Sequence, residues 1–327
     1  MKCTFFHIII LLLATIAVPA QPREKKDRTV VLTLHPAKVS EAAKKYRLLP
    51  KAEEQIDADA APLYQKAAQS LPENLKKNLI HKWARNPLEE LPRKQVESTL
   101  QQLKPTLQLI EQAAKCKHCN WPEIEDGEVT DKATTDLSKF RQIANILALQ
   151  ARLQIAQGQY DKAIGTIQAG FAMSTNLGKA PVIVQGLVGI ATAAVVCKQL
   201  EEYVQGQDAP NLYWALQNLP KPVIDLTEQL VLESPNIRKK IHMLMNRLDR
   251  HVAALQCVEA IRLYAAAHNG KLPDELSSIT EVSVPDGPVT KEPFLYSRID
   301  SKAALEALIP EGGTAKDAMR YELTLKE

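Results

Sequence analysis

The sequence predicts a mainly α protein: an irregular bundle of helices and helical hairpins, closed at the C-terminus by a small α+β element. Three observations predict it. Apolar residues recur at spacings of three and four over most of positions 59–268. Prolines and a few glycines cut that pattern into separate helices. Only near the two chain ends does the spacing switch to the alternation of strands. The 327 residues are 45% apolar and 24% charged, which suits a packed core and excludes a disordered or collagen-like chain. With 41 basic against 38 acidic side chains, the net charge of +3 gives too weak a field to indicate a nucleic-acid partner.

Residues 1–20 read as a secretory signal. Lys2 supplies the positive start, Ile8 to Val18 the apolar run, and Val18-Pro19-Ala20 the small side chains of a cleavage site. The run is shorter than the roughly twenty residues that cross a bilayer. Cys3 precedes it, which argues against a lipoprotein anchor. Membrane contact is therefore expected only through the uncleaved signal, and the processed chain is expected in a periplasmic or extracellular space. Cys116, Cys119, Cys197 and Cys257 follow the signal; they are too few to staple a chain of this length, so the core must carry the fold.

Residues 21–58 form a charged lead-in and one strand, Thr29–Leu34, which is β-branched and apolar and stops before Pro36. A lone strand leaves its backbone unsatisfied, so this one must pair with a distant partner. Residues 59–233 form a helical domain. Asp59 can cap a helix with Pro62 in its first turn and Leu63, Tyr64 and Ala67 on one face. Pro72, Pro87 and Pro92 then mark short helices. From Arg93 to Lys115 the stripe Val96, Leu100, Leu103, Leu107, Ile110 contains Pro105, which should kink or split it.

A hairpin follows. Leu137, Phe140, Ala144, Leu147, Ala151 and Ile155 line one helix, Gly158 breaks it, and a second runs from Tyr160 to about Asn176. The apolar stretch Pro181–Cys197 fits either a helix buried on all sides or a short membrane span, and the polar atoms within it favour burial. Gly186 and Gly189 would let a neighbouring helix come close. Tyr213 and Trp214 either form a surface contact for a partner or cover the end of the apolar helix before them.

Residues 234–327 combine a long helix with a small antiparallel sheet. Ser234-Pro235 opens the helix, a stripe from Ile237 to Ile261 sustains it, and Asn269-Gly270 stops it. Arg238, Lys239, Lys240, Arg247 and Arg250 make its first half basic, as on a solvated face. Leu272–Leu276 reads as a short helical turn. Strands are expected at Phe294–Ile299, Ala303–Ile309 and Met319–Leu325, with Thr29–Leu34 joining them at an edge.

Chemical signatures are sparse. Cys116-Lys117-His118-Cys119 has metal-ligand spacing but no second pair, and Asn120 stands where haem attachment would need His. Free thiols, a local disulfide, pairing with another cysteine, and a metal or redox role all stay open for Cys116 and Cys119. His251 lies beside the long apolar stripe and reads as a packed histidine. No zinc-protease, nucleophile-elbow, phosphate-loop or dinucleotide motif occurs, so no cofactor, metal ligand or catalytic residue is assigned.

Three resemblances accompany this reading. Ala151, Gly158, Tyr160 and Ala163 are spaced as in one tetratricopeptide unit, although Gly170 stands where that motif prefers alanine and no second copy follows. Tyr46-Arg47-Leu48-Leu49-Pro50, Asp59 to Tyr64, Leu147 to Tyr160 and Pro210 to Leu216 resemble exported helical proteins of planctomycete-type bacteria, a group that implies no activity. Tyr264, Asn269, Gly270, Leu272, Pro273, Asp286-Gly287-Pro288, Glu292-Pro293-Phe294 and Tyr296 resemble the globular end of pseudopilins, without the prepilin cleavage site that would precede that helix. The expected function is an exported binding or scaffolding protein of the cell envelope with a protein or peptide partner. The alternatives are an envelope hydrolase with spatially assembled acids and an accessory of a secretion or pilus-like apparatus.

Overall fold

The computed structural model describes residues 29–122, 131–231 and 233–326. The signal expected at 1–20 and the charged lead-in before Thr29 lie outside them. The chain begins with β1 (Thr29–Leu34) and a single helical turn, α1 (Glu41–Lys45), then β2 (Ile56–Asp59). Four short helices follow: α2 (Ala61–Gln69), α3 (Lys77–Trp83), α4 (Arg93–Gln102) and α5 (Lys104–Ala114). After β3 (Cys116–His118) come the three long helices α6 (Asp131–Ala156), α7 (Tyr160–Gly178) and α8 (Ile183–Tyr203). The last part comprises α9 (Tyr213–Gln217), α10 (Pro235–Ala267), β4 (Leu295–Ile299), β5 (Lys302–Ala307) and β6 (Met319–Leu325). The protein is mainly α with a small α+β element.

The helices α6, α7 and α8 form a central layer with a hydrophobic core on each side. On one side Phe140, Ile143, Leu147, Met173 and Val188 meet Tyr64 of α2, Trp83 of α3, Val96 and Leu100 of α4, and Ile110 of α5. On the other side Ile155, Ile167, Phe171, Val196 and Leu200 meet Tyr213, the buried stripe of α10, and Leu32, Leu305, Tyr321 and Leu323 of the sheet. The second core runs unbroken from α8 into α10 and the strands, so packing does not divide at residue 234.

The apolar character of α8 follows from this position. It is long and apolar enough to cross a membrane by length and composition, yet it sits between two cores, and its exposed positions are Ala191, Ala194 and Lys198, with Ile183, Val184, Leu187 and Val195 half-buried. A Cβ added at Gly189 would lie 2.7 Å from the Ser174 carbonyl oxygen of α7, so the glycine sets the helix separation. Gly170 has a similar cause: the Val196 side chain fills its Cβ position at 2.6 Å. Gly158 turns the chain between α6 and α7 with φ of +69°.

Several boundaries follow chain chemistry. Pro105 splits the expected long run into α4 and α5 and occupies the first turn of α5, where its missing N–H costs nothing. Asp59 Oδ1 accepts from the amide of Ala61 at the start of α2. Ser234 occupies the N-cap of α10, but its side chain makes no capping bond; only its carbonyl accepts, from Arg238. The helical turn expected at Leu272–Leu276 forms later, at Leu276–Ser278, because Leu272 is drawn into the core. The strand expected to reach Ile309 ends at Ala307, where Ile309 and Pro310 leave the sheet.

The main sheet has the order β1-β6-β5-β4. β1 runs parallel to β6 in register from Thr29 opposite Arg320 to Leu34 opposite Leu325, so the two ends of the described chain are joined. The C-terminal strands are antiparallel to one another. A second, two-stranded parallel ribbon, β2 with β3, was not expected from the sequence.

Candidate functional site

The helices α3 and α4 are too short to persist alone and are held by packing. Ile80 and Trp83, one turn apart, are the buried anchors of α3; Val96 and Leu100 are those of α4. The opposite face of α4 carries Gln95, Ser98, Thr99 and Gln102, again at three- and four-residue spacing. Between the two helices lies an open groove of about 620 Å³. Leu75, Leu79, Ile80, Trp83 and Leu103 supply its apolar lining, the polar stripe of α4 forms one wall, and Lys76 and Lys94 stand at the rim.

A second groove, of about 280 Å³, runs along the other side of α3 against α6. It shares Leu75 and Ile80 and adds Lys77, His81, Arg141, Gln142 and Asn145. Burial and the nearby Arg85 hold His81 below its usual pKa, so it is neutral at neutral pH. Among the described lining residues of both grooves there is no aspartate, glutamate or cysteine. Lysine, arginine, amide and hydroxyl groups can attract and orient an anionic partner there, while the apolar lining supplies burial.

The residues singled out from the sequence lie elsewhere. Cys116 is buried in β3, and Cys119 is half-buried just beyond it; both are free thiols, not a disulfide. Burial raises the Cys116 thiol above its usual pKa, with the Asp59 charge adding to the effect. Burial pushes Cys119 up to about 12. Neither is a ready nucleophile at neutral pH. His118 turns outward and pairs with Asp57 at 2.9 Å. Asp59 feels opposing effects: burial raises its pKa, but hydrogen bonds from the Asn120 and Ala61 amides outweigh it and hold the carboxyl low. Among the described residues no group of three or more potential metal ligands converges.

Tyr213 is interior. Its ring meets Trp214 edge-on at 5.6 Å, and its hydroxyl donates to the Ser283 carbonyl. Trp214 is half-buried against the same core. A partner surface built on both rings is therefore corrected: Tyr213 is committed to the tail loop, which leaves only an edge of Trp214. Cys197 and Cys257 are free and buried, and burial raises both thiols far above the usual range.

Ionisable groups that do converge are consumed in structural bonds. Glu259 and Arg262, one turn apart on α10, are both fully buried and pair at 2.8 Å. Arg262 also donates to the carbonyls of His35 and Ala209, and Glu259 accepts from the Leu212 amide. Burial raises the Glu259 pKa despite these bonds. His251 pairs with Glu201 at 2.7 Å, and the Tyr321 hydroxyl donates to the same carboxylate, joining α10, α8 and β6. The basic half of α10 is only partly a solvated face. Arg250 is buried and donates to the carbonyls of Asp317, Ala307 and Leu308, while Arg247 pairs with Asp317.

Trp83, Lys76 and the Gln95–Gln102 stripe carried no signal beyond helical spacing between prolines. The alternation of Val96 and Leu100 with four polar residues on the opposite face was the one readable hint. Comparison with known protein families, curated proteins and solved structures finds no match to this chain.

Proposed function

We propose that this protein is an exported binding or scaffolding component of the cell envelope, and that the grooves flanking α3 hold an acidic, amphipathic segment of a partner protein. One observation carries the reading. The grooves combine an apolar lining of leucine, isoleucine and tryptophan with a cationic rim, and their described lining holds no carboxylate or thiol. An apolar stripe on the partner would be buried against Leu75 and Leu79, in the manner of a helix laid in a groove. Its carboxylates would face Lys76, Lys94, Lys77 and Arg141. The signal-like residues 1–20 support the envelope as the place of action.

Fluorescence anisotropy with a labelled acidic amphipathic peptide tests the assignment, with its glutamate-to-lysine counterpart as the comparison. The acidic peptide should bind and the basic one should not. Lys76→Glu combined with Lys94→Glu reverses two exposed charges without touching the core, and should weaken binding by about tenfold or more while the helical circular dichroism is unchanged. Equal binding of both peptides, or no effect of the double reversal, would contradict the proposal.

A further inference from the structure

The sheet has two edges, and the structure treats them differently. At the β1 edge the Thr33 amide is taken by the side chain of Gln205 from the end of α8. The other edge is β4, whose strand neighbour is β5. Ile299 opposite Lys302 closes a two-residue turn at Asp300-Ser301 and is a hydrogen-bonded pair. By alternation Ser297 and Leu295 also direct their main-chain groups toward β5, and those of Tyr296 and Arg298 point away from the sheet. Among the described residues no strand pairs with this edge, and such an edge is a template for another strand.

The side chains of β4 select the partner. Leu295, Ser297 and Ile299 share the outer face of the sheet, with Leu295 52% and Ile299 77% exposed. On the inner face the Tyr296 hydroxyl donates to the Pro273 carbonyl, and Arg298 is neutralised by Asp274. We propose that β4 pairs antiparallel with β4 of a second copy of this chain, about a two-fold axis at Ser297, making one continuous eight-stranded sheet.

The sequence of the strand is self-complementary about that axis. Tyr296 and Arg298 of one copy exchange main-chain hydrogen bonds with Arg298 and Tyr296 of the other. Ser297 faces its own equivalent, and each Leu295 faces an Ile299, so the exposed apolar side chains cover one another. Among the described residues of β4 and β5 no unpaired carboxylate is brought to this seam: Lys302 lies opposite Ile299 and Glu306 opposite Leu295 in the hairpin, and Glu306 is paired with Arg320 of its own chain. The pairing is the isologous arrangement expected of a two-fold dimer. The inference is independent of the grooves beside α3, which lie on another part of the molecule.

Cysteine cross-linking of the purified protein tests the register. Ser297 equivalents would form a non-hydrogen-bonded antiparallel pair with Cα atoms about 4.5 Å apart, within disulfide reach. Ser297→Cys should therefore give a disulfide-linked dimer under mild oxidation. Val31→Cys, exposed on the same face at the far edge, should give no more than the parent protein. Adding Ile299→Lys to Ser297→Cys should reduce the cross-linked dimer about tenfold, and a circular dichroism spectrum like the parent's would show that the fold is retained; sedimentation of the parent should show a reversible dimer as concentration rises. Cross-linking of Ser297→Cys no better than Val31→Cys would overturn the proposal, as would dimer that survives Ile299→Lys. A monomer whose Tyr296 and Arg298 amides still resist hydrogen exchange would also overturn it, because the edge would then be covered within one chain.

Discussion

At the scale of single residues, Asp317 ties the tail to α10. Its carboxylate accepts from Arg247 at 2.7 Å and from the Thr314 amide and hydroxyl, while its carbonyl accepts from the buried Arg250. Burial acts to raise its pKa, but the bonds from Arg247 and Thr314 prevail and hold it below the ordinary value of 3.8. A carboxyl depressed in the folded state contributes stability above that ordinary value and loses it as pH falls through the folded pKa. The tail should therefore loosen in acid, below pH 3.8, in thermal unfolding followed against pH. Asp317→Asn should cost about 2 kcal/mol at pH 7 and flatten the acid limb of that profile. The sequence alone hides such roles. Arg250 looks like a member of a charged helical face, and only the approach of the 307–317 loop turns it inward; Glu259, which the sequence did not single out, is enclosed by residues 209–212. His251 was legible, because it sits in line with the apolar stripe of α10.

At the scale of elements, spacing and proline placement were readable wherever a helix packs by its own periodicity. The Leu103 break before Pro105, the Gly158 turn and the full run of α10 all belong to that class. The ribbon of β2 and β3 was not readable: strands of four and three residues offer no alternation, and their pairing depends on α2 and α5 bringing Ile56 beside Cys116. Gly189 shows how tightly α7 and α8 are spaced. Gly189→Ala places a methyl against the Ser174 carbonyl, a backbone atom that cannot swing aside. Chemical denaturation should report a loss of about 1–3 kcal/mol despite alanine's better helix propensity. A gain in stability would mean that the two helices can separate freely.

At the scale of the whole molecule, the layer α6–α8 couples everything. It presents one face to the short helices that build the grooves and the other to α10 and the sheet. The parallel pairing of β1 with β6 joins the chain ends, a contact foreseen from the unpaired character of Thr29–Leu34 but with its direction open. The grooves beside α3 were not foreseen as a site, because their chemistry is ordinary: lysines, amides and leucines acquire meaning only when two short helices hold them around one concavity.

Hydrogen–deuterium exchange of the full protein, with and without the acidic amphipathic peptide, tests this assignment most directly. Binding as described predicts slowed exchange confined to residues 72–83, 94–103 and the adjoining turn of α6 near Arg141, with α10 and the sheet unchanged. Slowing centred on any other element, or none at saturating peptide, would contradict it.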